Sequence, residues 1–134
     1  MALVPSDALV VVADGGGARL FRNRGDERAL ALHQVELREL MNMDDDGPSG
    51  SMPHESTGAQ IDEATFAKQL ALALNADALK HGYEHLVLMA DPTTLGRLRP
   101  LLHKEVRQRL ILEVPKTRTN APLPDIEAAL RAHA

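Results

Sequence analysis

Two aspartates each follow a predicted strand, at the place where a metal-dependent hydrolase would carry its ligands. Asp14 comes after an apolar, β-branched run, and Asp91 comes after the run HLVLMA. If these strands are neighbours, both carboxylates and one acid of the long helix, Asp62 or Glu63, could hold Mg²⁺ for phosphodiester or ester hydrolysis. Each aspartate also has a local structural explanation, as a turn residue or as a helix N-cap, and we favour that interpretation.

The other residue types that can do chemistry form no familiar catalytic pattern. Gly15-Gly16-Gly17 lacks the third glycine of a dinucleotide fingerprint, because Leu20 stands there, and a strand follows instead of a helix. The six histidines form no HExxH motif, and no serine lies in a nucleophile elbow. We therefore expect no cofactor, and the sequence favours a protein that is not an enzyme.

Charge is unevenly distributed along this chain, whose net charge is −4. From Glu39 to Ala67 there are seven acids and no Lys or Arg, whereas from Arg97 to Arg118 there are seven Lys or Arg and two acids. This asymmetry predicts a surface that attracts anions, although a solvated helix face is the simpler alternative. The candidate binding residues are Arg97, Arg99, Lys104, Arg107, Lys116 and Arg118.

The elements that must position these residues form one predicted α/β domain over residues 1–134. Three meandering strands, followed by alternating helices and strands in the order β-β-β-α-β-α-β-α, imply a mixed sheet compatible with a ribonuclease H-like topology. The predicted strands are 8–13, 18–23, 29–40, 85–90 and 109–114. The predicted helices run over 62–81, from Pro92 with a break at Pro100, and from Pro124 onwards.

The segment between the third strand and the long helix has the composition of a flexible loop. From about residue 41 to 61 it is rich in glycine, proline and serine and has few large apolar side chains. Elsewhere we find no apolar run that could cross a bilayer, no signal-peptide pattern and no cysteine. We therefore expect a cytoplasmic protein that does not associate with membranes.

Long stretches of the chain are similar to the bacterial host-attachment protein family. The similarity lies in VVVADGGGARLF, in ADPTTLGRLRPLLHKEVRQRL and in PKTRTNAPLPDIEAAL, and it spans about Leu9 to Leu130. That family is related to the central domain of archaeo-eukaryotic release factors and of the ribosome-rescue protein Pelota. The resemblance implies a ribonuclease H-like fold and contact with the ribosome or with a translation-linked RNA.

Two positions depart from the patterns of these relatives. Release factors carry Gly-Gly-Gln before the main helix, and this chain has Gly58-Ala59-Gln60 at a comparable place, without the second glycine. Gln60 is therefore a catalytic candidate with an incomplete motif, and we expect no hydrolase activity from it. Thr117-Arg118-Thr119 follows Lys116 where the family pattern has Asp-Leu-Thr, so any role of that acid does not carry over.

These observations predict a non-enzymatic binding module that contacts the ribosome or translation-linked RNA through its basic residues. A metal-dependent hydrolase that uses Asp14 and Asp91 with Mg²⁺ is the first alternative. A protein–protein adaptor in attachment is the second alternative. The sequence leaves the oligomeric state open.

Overall fold

Strands and helices alternate after an opening meander. The computed structural model describes residues 4–26, 28–39, 58–116 and 121–133, without the side chains of 37–39, 58–62 and 133. The strands are β1 (Leu9–Ala13), β2 (Gly17–Asn23), β3 (Leu32–Glu39), β4 (Leu86–Ala90) and β5 (Leu110–Val114). The helices are α1 (Gly58–Leu79), α2 (Pro92–Leu98), α3 (Lys104–Arg109) and α4 (Leu123–His133), with a 3₁₀ turn (Arg99–Leu101) between α2 and α3.

The described strands form one mixed sheet in the order β3-β2-β1-β4-β5. β2 pairs antiparallel with both β1 and β3, whereas β4 pairs parallel with both β1 and β5. The predicted α/β class with a mixed sheet is therefore confirmed. Because Ala13 is the register partner of Ala90, the two central strands end at the same edge of the sheet.

Alternate residues of the central strands face two separate cores. Leu9, Val11 and Ala13 of β1 pack with α1, α2 and α3, whereas Val10 and Val12 pack with α4 on the opposite face. β4 follows the same alternation. Strands buried on both faces read as continuous apolar runs, which explains the composition of these two segments. Full burial of each large aliphatic side chain contributes about 1.5–3 kcal/mol.

α1 begins and ends differently from the prediction. It begins at Gly58, four residues before the predicted start, so Asp62 and Glu63 do not lie in its first turn. Its end has the left-handed residue at His81 (φ 60°), and Gly82, the predicted stop, has no positive φ. The His81 and Gly82 amides donate to the carbonyls of Ala78 and Asp77, which closes the last turn as in a Schellman motif.

The segment between β4 and β5 is divided into α2, the 3₁₀ turn and α3, where the predicted order has one helix. Pro100 lies in the 3₁₀ turn, so the predicted break at this proline is confirmed. Pro92 is the first residue of α2, as predicted, and Asp91 is its N-cap. His103 caps α3, because its Nδ1 accepts a hydrogen bond from the Glu105 amide.

β3 is shorter than the predicted strand over 29–40, because its first residues belong to a turn organised by Asn23. This side chain is fully buried, and its Oδ1 accepts hydrogen bonds from the amides of Gly25 and Ala31. Its Nδ2 donates to the carbonyls of Val4, Pro5 and Asp26. Residues 41–57 of the predicted flexible loop lie outside the described residues, and no described helix could span a membrane.

Candidate functional site

Asp14 lies at the edge of the sheet where β1 ends, and its carboxylate organises the turn that follows. Its Oδ1 accepts hydrogen bonds from the amides of Gly16 (2.8 Å) and Gly17 (2.9 Å). This arrangement, in which an aspartate bonds to the backbone two and three residues ahead, is a common way of closing a turn. The glycine run is the β1–β2 hairpin turn, as its sequence context predicts.

Asp91 lies at the same edge, after β4, and both of its carboxylate oxygens have partners in α2. Oδ2 accepts from the Thr94 amide at 3.1 Å, and Oδ1 accepts from the Thr94 hydroxyl at 2.7 Å. Thr94 is buried, so this cap is shielded on one side. The sheet brings Asp14 and Asp91 to one edge, and each carboxylate binds its own segment.

Glu63 reaches this edge from α1 and joins it to α2. Its Oε1 accepts a hydrogen bond from Arg97 Nη1 at 2.9 Å. A Cβ at Gly15 would lie 2.6–2.7 Å from the Cγ, Cδ and Oε2 atoms of Glu63, so a larger residue at this position would require the Glu63 side chain to move. Among the described residues, no three His, Cys, Asp or Glu side chains are grouped so that they could hold a metal ion.

Gln60 lies in the first turn of α1, and not in a loop before the helix as predicted. Its side chain and that of Asp62 are outside the described set. A catalytic role for Gln60 therefore stays a prediction.

The structure divides the predicted basic residues into separate groups. Arg97 pairs with Glu63 of α1, whereas Arg99 binds Glu113 of β5. Arg107 Nη2 donates to the carbonyl of Arg99 at 3.0 Å, which brings these two residues together. Lys116 is exposed beyond β5, and Arg118 is outside the described residues.

We call Arg99, Lys104 and Arg107 the basic edge. Lys104 and Arg107 are exposed and lie three residues apart on α3, so they share one side of that helix. Neither forms an ion pair with a described carboxylate. The basic edge therefore presents two exposed cations that form no ion pair with a described acid.

Arg99 is the one member of the basic edge that has a described acidic partner. Its Nε and Nη2 both donate to Glu113, and the hydrogen bonds and charge of this carboxylate raise the pKa of Arg99 above its ordinary value. Glu113 faces the helices α1–α3, because its register partner is Leu88, which lies in that core. The Arg99 side chain is 58% exposed and that of Glu113 is 25% exposed.

Arg109, the last residue of α3, points inward, unlike Lys104 and Arg107 of the same helix. It donates to the carbonyls of Tyr83 and Glu105 and forms an ion pair with the Glu105 side chain. The hydrogen bond from Arg109 lowers the pKa of Glu105. The pairs Arg97–Glu63 and Arg99–Glu113 were not predicted from the sequence. Their members lie 34 and 14 residues apart, so no local pattern connects them.

The single mixed sheet, with an antiparallel meander and with helices on both faces, forms a small α/β domain that is consistent with a release-factor-like class. The family model described as bacterial archaeo-eukaryotic release factor family 12 matches residues 7–130, and the chain belongs to this family. A comparison with curated proteins gives no match. The predicted relation to release factors is thus confirmed, whereas the narrower assignment to the host-attachment family stays a prediction.

Proposed function

We propose that this protein is a non-enzymatic module that binds ribosomal or other translation-linked RNA through its basic edge. The observation that carries the proposal is that Lys104 and Arg107 lie exposed on one side of α3 without a described acidic partner. Phosphate groups are the anions that an RNA partner presents in number, and Lys and Arg are the side chains that neutralise them.

Family membership supports the choice of RNA over other polyanions, because release factors act in translation. In this proposal the sheet is of the ribonuclease H-like kind, with the antiparallel meander on one side and the parallel strands β4 and β5 on the other. The host-attachment label would then describe a phenotype and not a chemical activity.

The carboxyl edge of the sheet supports a structural role in preference to hydrolysis. Asp14 and Asp91 both use their oxygens to bind the backbone of the segments that follow them. Glu63 is paired with Arg97, and its carboxylate group packs against Gly15. We therefore assign these acids to the closure of a turn, a helix start and a helix–helix contact.

Co-sedimentation with purified ribosomes, at low and at physiological salt, tests the proposal. Reversing both free cations, in Lys104→Glu/Arg107→Glu, should weaken association about tenfold or more, because two phosphate contacts are replaced by repulsion. The wild-type protein should lose affinity as salt rises, and the variant should lose less.

The matched control is Lys68→Glu/Lys80→Glu, which makes the same change in net charge at two other exposed lysines. Lys68 lies in α1, and Lys80 follows its last residue. This control should bind as the wild-type protein does. Equal loss in both double variants would contradict a specific role of the basic edge. Association that persists after nuclease treatment, and that Lys104→Glu/Arg107→Glu does not weaken, would instead favour the protein–protein adaptor.

A further inference from the structure

We infer that Glu113 sets the affinity and selectivity of the basic edge, because it competes with the anionic partner for Arg99. This inference rests on the proposed function and extends it to a residue of opposite charge. Arg99 is more exposed than its partner Glu113, yet the Glu113 carboxylate occupies its Nε and Nη2 donors.

The backbone of Arg99 is held at the basic edge by contacts that do not involve Glu113. Arg99 begins the 3₁₀ turn, and its carbonyl accepts a hydrogen bond from Arg107. Its Nη1 has no described partner, so one part of the guanidinium is available while Glu113 holds the other. An incoming phosphate can therefore contact Arg99 first and displace the carboxylate afterwards.

The competition predicts which anions the edge selects. Glu113 already pairs with Arg99, so a single carboxylate of a partner offers Arg99 only another carboxylate in exchange. A phosphodiester chain places several charges near Arg99, Lys104 and Arg107 at once, so it gains contacts that the internal ion pair cannot supply. Glu113 therefore disfavours weak single anions and leaves phosphodiester chains such as RNA as the preferred partner.

Glu113→Gln is the variant that isolates this effect, because glutamine keeps the shape and one hydrogen-bond acceptor but loses the charge. Binding of a labelled single-stranded RNA oligonucleotide, followed by fluorescence anisotropy, should tighten about three- to fivefold, as expected from an ion pair of surface strength. The slope of log K against log salt should change by less than about 0.7, the value of one phosphate contact on a single strand, because Arg99 contacts the phosphate in both proteins.

Asp7→Asn is the matched control, because Asp7 also pairs with an arginine, Arg24 at 3.1 Å, but outside the basic edge. It makes the same change in net charge and should leave affinity within about twofold of wild type. A second arm repeats Glu113→Gln in an Arg99→Gln background, where the gain should largely disappear, because there is no arginine to release.

The outcomes separate this inference from the proposed function. If wild-type protein binds RNA but Glu113→Gln binds no more tightly than Asp7→Asn, competition at Arg99 is wrong and RNA binding stands. If the gain persists in the Arg99→Gln background, Glu113 acts by general repulsion, and the inference is wrong. If neither wild type nor any variant binds, the proposed function fails and the inference fails with it.

Discussion

At Asp91, a residue type that often binds metals has both of its oxygens engaged by the protein. The Thr94 amide and hydroxyl bind separate carboxylate oxygens, and Pro92 begins α2 immediately after Asp91. A divalent cation would have to displace these hydrogen bonds or share the oxygens with them. Asp91 is therefore a sensitive position at which to separate a structural role from metal binding.

Replacing Asp91 by alanine should lower the free energy of unfolding by about 1–2 kcal/mol, because the N-cap is lost. Asp91→Asn should be close to neutral, since asparagine is an equally good N-cap. Thermal unfolding with and without Mg²⁺ measures both effects. A melting temperature that rises with Mg²⁺ in wild type, and no longer does so in Asp91→Asn, would favour the metal-dependent hydrolase.

At the scale of single elements, the end of α1 is closed by a residue that is not suited to its backbone. His81 adopts a left-handed conformation, which only glycine adopts without cost. Gly82, one residue later, could not take that role without a shift in the chain. A Cβ at Gly82 would lie 3.1 Å from the Asp77 carbonyl oxygen, so this glycine allows a close backbone approach.

His81→Gly should therefore stabilise the protein by about 1 kcal/mol, because it removes the steric cost of the left-handed conformation. His81→Ala is the control, since it removes the imidazole and its contact with Arg109 while keeping the steric cost. Chemical denaturation of the three proteins measures the difference. Stabilisation of both variants to the same extent would show that the imidazole, and not the backbone, is unfavourable here.

At the scale of the whole molecule, a few side chains join segments that are far apart in the chain. Glu127 of α4 accepts a hydrogen bond from the Leu32 amide at the start of β3. Arg19 of β2 donates to the carbonyl of Ala121, just before α4. Asn23 holds the N-terminal segment and the β2–β3 turn together through five hydrogen bonds. These contacts fix the layers around the sheet.

Asn23→Ala should destabilise the fold by about 2–4 kcal/mol, because it leaves several buried backbone groups without partners. Asn23→Asp should also be destabilising, since it keeps the acceptor but removes the Nδ2 donor and introduces a buried charge. Equilibrium unfolding measures both. A loss below about 0.5 kcal/mol in Asn23→Ala would mean that water replaces the amide without cost.

The local features of this chain follow from residues that are neighbours in sequence. Apolar runs marked the central strands, Asp91-Pro92 marked the start of α2, and Pro100 marked its break, because capping and backbone sterics act within one turn. The predicted start of α1 was four residues too late. Two adjacent acids, Asp62 and Glu63, are typical of a first helical turn, but the helix already begins at Gly58.

What only the tertiary structure decided is which charges meet. Seven Lys and Arg residues lie from Arg97 to Arg118, a stretch that we call the basic segment, and no pattern in the sequence distinguishes the paired cations from the unpaired ones. The register of β4 with β5 turns Glu113 toward Arg99, and the packing of α1 on α2 brings Glu63 to Arg97. Such pairings depend on strand register and helix packing over 14 and 34 residues. The sequence by itself therefore determined the class of fold and the presence of a basic segment, and tertiary packing decided which of its cations remain free.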